Sequence, residues 1–550
     1  MAQSSRVQWL IPVGVIFGLL IPLLFSDRTF STDWGNHLWL IWAQGANLGQ
    51  LGEPSYFLQS SLGVFYPYYA FYGGSFYAVA GFVSWLFGAE AAALAAYAGA
   101  LAATYLGWTW IARQLGIAGW QSQLPGCIAV TAPLAVTNLY GRGDIPEVVA
   151  TGMIPLVAAA GLSIFRERRV RLSSAAVYVI GIVFLTGTHT LTLVWAAFFL
   201  AVVTALLVAC YWHEARARLR RGLAVAGLTV LGAGINAWIL APLVLLHSRL
   251  LEQDPDPIGL TAYTDPEQLF SILRTTPDPP VVTADVDAQL PVLALLWALI
   301  CGAAYWRFLS ATGKKLAVGL LALGGALLLL VLSPSLISEL PKLLQFIQFP
   351  YRILTYVDIC LVGLVTLALA AMQRDSSTSR VPVLVLAAIA AFNFGLSIEQ
   401  NSAVRSWLPG REDALASTVP PPPTWYAPLQ FADGSAPVLA PTLAVPLEFP
   451  VEDIDDSYAA SYPPGRAGIA ETNIATGDYL VEVSGARPVG RTEDGRMVVR
   501  LPAGRGPRRV EVSAAWEPGV GIGRWISVVS LLAAAGGAAA YWASGRRRRE

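Results

Sequence analysis

Residues 64–88 read VFYPYYAFYGGSFYAVAGFVSWLFG. The stretch is apolar enough to form a helix that crosses a bilayer. Whether it crosses decides on which side every neighbouring loop lies. A crossing would turn Arg142 and Asp144 to the cytoplasm, and the later arginine clusters would then need a compensating error. From Phe65 to Tyr77 the stretch is rich in Tyr and Phe, which favour the membrane interface over the hydrocarbon core. Residues 64–88 are therefore read as helices lying along the outer membrane surface, inside a long first outer loop (27–89).

The rest of the chain fits a polytopic α-helical membrane protein. Of 550 residues, 55% are hydrophobic and 13% are charged, with a mean hydropathy of +0.55. A soluble domain carries about 25% charged residues. Several apolar stretches reach the roughly 20 residues that a membrane-spanning helix needs. They predict about twelve transmembrane helices, near 10–25, 90–112, 124–140, 147–165, 172–188, 190–212, 222–246, 290–306, 316–333, 353–373, 381–398 and 524–543. The first of these is read as a retained helix, because Ser26-Asp27-Arg28 offers no small-residue cleavage site. Cys127, Cys210, Cys301 and Cys360 all fall in apolar stretches, a pattern without a disulfide framework or thiolate metal site.

Basic residues orient the helices. Arg6, Arg113, Arg166/Arg168/Arg169/Arg171, Arg216/Arg218/Arg220/Arg221, Arg307/Lys314/Lys315, Arg374/Arg380 and Arg546–Arg549 all land on one side when the helices alternate. The positive-inside rule makes that side cytoplasmic, with both termini there and the protein in the plasma or inner membrane. The arginine tail then reads as a stop-transfer anchor. Three parts follow: a transmembrane domain (1–398) with an acidic, proline-containing outer loop (249–289); an extracytoplasmic β-rich domain (399–523); and a final helix with a basic tail (524–550). The β reading rests on alternation in Tyr479–Ser484, Arg496–Leu501 and Arg509–Ser513, with Glu493-Asp494-Gly495 as the hairpin turn between the first two.

The unusual polar residues gather on the outer side. Asp33 and His37 follow the first helix. Asn138-Leu-Tyr-Gly-Arg142-Gly-Asp144-Ile-Pro-Glu147 joins the third and fourth. His189 sits in the turn between the fifth and sixth, and Arg352 opens the tenth. Ionisable groups at membrane depth are costly and are functional candidates. Each has a plainer reading: Asp33 and Asp144 as helix caps, Arg142 at lipid headgroups, His189 bonding its own turn, Arg352 snorkelling. His213 reads as structural, and His247 is a weaker candidate. Asp358 is the clearest charge inside a span. No P-loop, dinucleotide fingerprint, calcium loop or zincin pattern is present, and no nucleic-acid partner is expected.

Acids, arginines, a histidine and aromatics at a membrane surface suit sugar transfer from a lipid phosphate. Arg142 or Arg352 would hold the phosphate, a carboxylate would serve as general base, and aromatic faces would take sugar rings. At these residues the chain resembles the GT-C class of integral membrane glycosyltransferases. It is most similar to the bacterial membrane proteins labelled 6-pyruvoyl-tetrahydropterin synthase-related and to YfhO-like relatives. The resemblance runs through Asp33 and His37, Phe65-Tyr66-Pro67-Tyr68-Tyr69, Arg142-Gly143…Glu147, His189, Phe349–Arg352, and the β-rich domain before the last helix. The family's turn has small residues where this chain has Asp144-Ile145-Pro146, so Asp144 and Glu147 both stand as the second functional acid.

The resemblance implies an inverting glycosyltransferase using a polyprenyl-phosphate sugar and an extracytoplasmic glycan, lipid or protein acceptor. It implies Asp33 as base, with Asp144 and Glu147 also catalytic. His37, Tyr66, Arg142, His189 and Arg352 become substrate-binding residues. Some members of the class use a divalent metal; here Asp33 and Asp144 would be its ligands. The competing expectations are a transporter or flippase of lipid-linked glycans and a non-catalytic scaffold of the same fold.

Overall fold

The computed structural model describes residues 9–24, 33–60, 63–167, 170–212, 216, 218–245, 266–273, 288–345, 347, 349–375, 380–404, 438–443, 445–451, 454–475, 481–493, 496–515 and 518–546. Most of the acidic loop, including Asp254, Asp256, Asp265, Asp278, Asp285 and Asp287, lies outside them, as do His213 and His247.

Among the described residues, seven helices are long and apolar enough to cross a membrane: Ala89–Gln114, Ile145–Arg166, Thr190–Cys210, Ala311–Leu332, Pro350–Met372, Val381–Ile398 and Gly519–Ala543. Two bent pairs raise the number to nine if each pair is one span. Leu10–Ile21, Leu172–Gly187 and Val292–Ala304 are shorter apolar helices. The expectation of about twelve spans is matched only in part among the described residues: the third and seventh are bent pairs, and three more are short.

Each break has a local cause. Gly119–Val130 and Pro133–Arg142 meet at 60°, because Ala132 before Pro133 is extended (φ −59°, ψ 137°), as proline requires of its predecessor. Leu219–Ile235 and Ala237–Leu245 meet at 76° around Asn236. Its amide donates to Thr186 Oγ1 at 2.7 Å, and its Oδ1 accepts from Ser75 at 2.6 Å. Side-chain bonds across helices take the place of the interrupted backbone ladder.

Residues 64–88 do not form one continuous helix. Strand β2 (Gly63–Tyr66) pairs antiparallel with β1 (Leu58–Ser60), a one-turn helix covers Tyr68–Phe71, and a second helix runs Gly74–Phe87. The last has 14 residues, about 21 Å at 1.5 Å per residue, short of the ~30 Å hydrocarbon core. It buries one face against the helix Trp34–Leu51, where a Cβ on Gly81 would lie 2.9 Å from Gln44 Cγ. Its other face exposes Val79, Phe82, Trp85, Leu86 and Phe87.

The second region holds two three-stranded antiparallel sheets. One has the order β3 (Ser457–Tyr462), β8 (Arg508–Ala514), β5 (Val481–Ser484); the other has β4 (Gly468–Ala475), β7 (Arg496–Leu501), β6 (Arg487–Arg491). β7 pairs with β6, which lies between the Tyr479–Ser484 stretch and β7 in the chain, and Asp494 and Gly495 of the expected hairpin turn lie outside the described residues. That stretch contributes β5 to the opposite sheet, beside β8. The short β6 went unread because Arg-Pro-Val-Gly-Arg does not alternate. Tyr458, Val499, Val510 and Val512 share one core with Tyr56, Phe65 and Ile239, and Phe65 lies 5.7 Å from Tyr458, ring to ring. The β domain is thus seated on the aromatic first loop.

Close helix contact in the bundle centre depends on small residues. A Cβ on Gly152 would stand 2.7 Å from the Ala100 carbonyl, and one on Gly107 would stand 2.6 Å from the Leu156 backbone. Gly152→Leu should therefore force Ala89–Gln114 and Ile145–Arg166 apart, costing about 1–3 kcal/mol. A lowered thermal midpoint of the detergent-solubilised protein will register it, while Gly99→Leu, which meets open space, should change it little.

Candidate active site

Four helices point their N-termini at one place. They are Trp34–Leu51, Ile145–Arg166, Thr190–Cys210 and the helix that opens at Pro350. Their aligned dipoles favour negative charge there. The residues before or inside their first turns are Asp33, Asp144, Glu147, His189 and Arg352. Arg142 joins them from a π-helical turn, Thr137–Arg142, a geometry frequent at functional sites.

Gly143 sets the turn. Its φ is +69°, and a Cβ there would stand 2.7 Å from Trp34 Cβ, so this position takes glycine for both conformation and space. The close approach lets Asp33 N–H donate to the Arg142 carbonyl at 2.9 Å, which fastens the first loop to the turn.

Arg142 is the hub. Its Nη1 donates to Glu147 Oε2 at 2.8 Å and to Asn138 Oδ1 at 3.1 Å. Its Nη2 donates to Asp144 Oδ2 at 3.0 Å and lies 3.6 Å from Asp33 Oδ2. The guanidinium also sits over the Tyr351 ring at 5.4 Å. Arg352 is the second cation, 3.4 Å from Glu147 and 3.8 Å from Asp144. It is buried, so the snorkelling reading does not hold. Its Nε and Nη1 have no hydrogen-bond partner among the described residues.

The histidines bracket Asp144. His37 Nε2 lies 3.5 Å from Asp144 Oδ1, and its Nδ1 meets the Tyr77 hydroxyl at 2.7 Å. His189 Nδ1 accepts the Thr192 N–H at 3.1 Å, which puts the neutral ring's proton on Nε2, 3.9 Å from Asp144 Oδ2. Tyr72 packs parallel to His37 at 6.2 Å and edge-on to His189 at 5.4 Å. Of the plainer readings, Asp144 does cap its helix, accepting from Glu147 N–H at 3.0 Å, and His189 does bond its turn. Asp33 precedes its helix but makes no side-chain cap bond.

The three acids are not equivalent. Asp144 and Glu147 are each 2% exposed and directly bonded to Arg142. Asp33 is 21% exposed and further from it. Burial pushes the Asp33 carboxyl above its ordinary range; Arg142 opposes this and Asp144 reinforces it. Burial acts in the same direction on Asp144, but Arg142, the His37 contact and His189 together hold it well below that range. Asp33 is therefore more basic than Asp144 and is the most exposed of the three acids.

Ligand atoms of Asp33, His37 and Asp144, and of Asp144, Glu147 and His189, lie within 4.8 Å of one another, as metal binding would need. Arg142 Nη2, however, already contacts both Asp33 and Asp144, and Asp144 Oδ1 is taken by the Glu147 N–H. A cation between the two aspartates would compete with the guanidinium for their Oδ2 atoms. His37 Nε2, 3.5 Å from Asp144 Oδ1, would be the third ligand.

Every expected site residue but one converges here. Tyr66 ends β2, and its side chain lies outside what the structure describes. Residues not singled out from the sequence are Asn138, Tyr72, Tyr77 and Tyr351. Asn138 stood within the quoted turn, but its bond to Arg142 follows from the π-helical winding. Tyr72 and Tyr77 were hidden in a uniformly aromatic run. Asp358 lies deeper, buried along a cavity of about 80 Å³ whose wall also includes Asn138.

Burial, with Arg352 and Arg142 helping, pushes His189 from 6.5 down to about 4. Below 6.5 the unfolded chain takes a proton that the folded chain refuses until about 4. The His189 contribution to stability is thus present above 6.5 and lost as pH falls through that window. Wild type should lose more stability than His189→Gln between pH 6.5 and 4, read as the difference between their thermal midpoints across pH.

No family model matches the sequence, and no curated protein matches it. Among solved structures, the arabinofuranosyltransferase AftD from Mycobacteria is similar at a TM-score of 0.42 and 15% identity over 74% of this chain, which spans 27% of the length of that structure.

Proposed function

We propose that this chain is a membrane glycosyltransferase that moves a sugar from a polyprenyl-phosphate donor to an extracytoplasmic glycan, lipid or protein. The observation that carries the reading is the division of labour among the charges. Arg142 is neutralised by two buried acids, Arg352 keeps buried donors unbonded by the described residues, and Asp33 is left basic and accessible.

In this reading the donor's phosphate lies against Arg352 and the converging helix N-termini, where bidentate, charge-assisted bonds are strong. The sugar ring rests among Tyr72, His37 and Tyr351. The acceptor hydroxyl oxygen attacks the anomeric carbon from the face opposite the phosphate, and the carbon–phosphate-oxygen bond breaks. The electron pair leaves with the lipid phosphate, whose growing charge Arg352 and Arg142 stabilise. The hydroxyl proton passes to Asp33. One such displacement inverts the anomeric centre. Asp144 and Glu147 hold the two arginines and His37 in place.

Asp358 favours a second reading, a transporter of lipid-linked glycans, because a buried acid inside a span is a common feature of transport paths. The two part on one variant. Asp33→Asn should lower transfer by about a hundredfold or more while leaving expression and donor binding near wild type. Transfer is measured as polyprenyl-phosphate release from a panel of short-chain polyprenyl-phosphate pentoses and hexoses. Unchanged product from Asp33→Asn sinks the enzyme reading. Arg352→Lys should raise the donor KM about tenfold, since a lysine cannot make the paired contact.

The pH profile gives a further check. Asp33 must be ionised to accept the proton, and its carboxyl is raised. The rate should therefore fall on acidification at a pH above the ordinary carboxylate range. Initial rates across pH in wild type should show this limb, which Asp33→Asn should lack.

A further inference from the structure

We propose that the arginine-lined recess between connections 166–171 and 216–221 binds the phosphate headgroup of an anionic membrane lipid. It lies on the face opposite the acid–arginine site. The helix Ile145–Arg166 starts at that site and ends here after 22 residues, about 33 Å away. The recess has a volume of about 490 Å³, and Arg166, Arg216, Arg218, Arg220 and Arg221 line it.

The recess is held together by arginine. Arg218 Nη1 donates to the carbonyls of Phe165 and Arg166 at 3.4 and 3.2 Å, capping the end of the helix Ile145–Arg166. Arg166 Nη1 donates to the Gln114 carbonyl at 2.6 Å. These bonds join three connections at one point. Glu167 is the acid among the lining residues, and its charge is engaged. Its carboxylate accepts from Ser163 Oγ at 2.9 Å and meets Arg171 Nε at 3.0 Å. Arg216 and Arg220 are exposed at the same recess. The balance is strongly positive, and guanidiniums suit phosphate oxygens geometrically.

The apolar rim selects a lipid over a soluble phosphate. Leu219 lines the recess and is 63% exposed, and Trp212, at the end of the preceding helix, is also exposed. An exposed leucine beside arginines marks the level where headgroup meets hydrocarbon. None of these residues belongs to the proposed glycosyl-transfer site, so the two readings stand or fall separately.

The test uses the full chain in a mild neutral detergent, with thermal midpoints titrated by phosphatidylglycerol, phosphatidylcholine or inorganic phosphate. Phosphatidylglycerol should stabilise the wild type, and the other two should not. In Arg216→Gln/Arg220→Gln, both exposed and so tolerant of change, the phosphatidylglycerol concentration for half the effect should rise about tenfold. Lys314→Gln/Lys315→Gln, a basic pair in the first turn of the helix Ala311–Leu332, should match wild type. Equal weakening in both variants would mean general surface charge and overturn the proposal. So would an equal effect of inorganic phosphate, or no effect of phosphatidylglycerol on wild type.

Discussion

Arg142 places one guanidinium within 3.6 Å of three carboxylates from two distant parts of the chain. A buried acid without a partner costs several kcal/mol, so Asp144 and Glu147 can be buried only where this arginine reaches them. The first loop, the turn at 142–147 and the opening of the helix at Pro350 are therefore tied to one another. The backbone bond from Asp33 to the Arg142 carbonyl and the left-handed Gly143 fix the approach, and the rest of the site is assembled around that turn.

The same constraint separates the roles of the acids. Two of the three carboxylates accept hydrogen bonds from Arg142, and the third lies 3.6 Å from it. Asp33 is that third acid, and partial exposure makes it the group a reactant can meet. Arg352 is positioned by the same two buried acids, yet its Nε and Nη1 are left without hydrogen bonds among the described residues. Asp33 on Arg142 and Arg352 on Glu147 and Asp144 are thus held by one charge cluster. The four helix N-termini add positive potential without adding titratable groups.

The surrounding fold serves that face. The β domain and the aromatic loop share a core through Phe65 and Tyr458, and Arg524 of the last helix reaches Tyr56, donating to its hydroxyl at 3.3 Å. The loop that carries Tyr72 and Tyr77 is thereby held from both sides. Tyr77 in turn holds His37, and His37 holds Asp144, so the seat of the β domain and the orientation of the site are mechanically connected.

Hydropathy alone determined that apolar helices dominate the chain, because burial in lipid is a sum over residues and needs no partner. Alternation likewise revealed strands in 479–484, 496–501 and 509–513, and turn chemistry placed Asp33, Asp144 and His189 just ahead of helices. Only the tertiary structure decided which of these groups meet. Asp144 proved to be both cap and ion-pair partner, Asp33 proved not to cap, and Arg352 turned inward. These outcomes depend on distances of 3–4 Å between segments more than a hundred residues apart, which no local pattern encodes. The break at Asn236 and the pairing of β5 with β8 are likewise set by bonds to distant segments, whereas the break at Ala132 follows from Pro133, a local feature of the sequence.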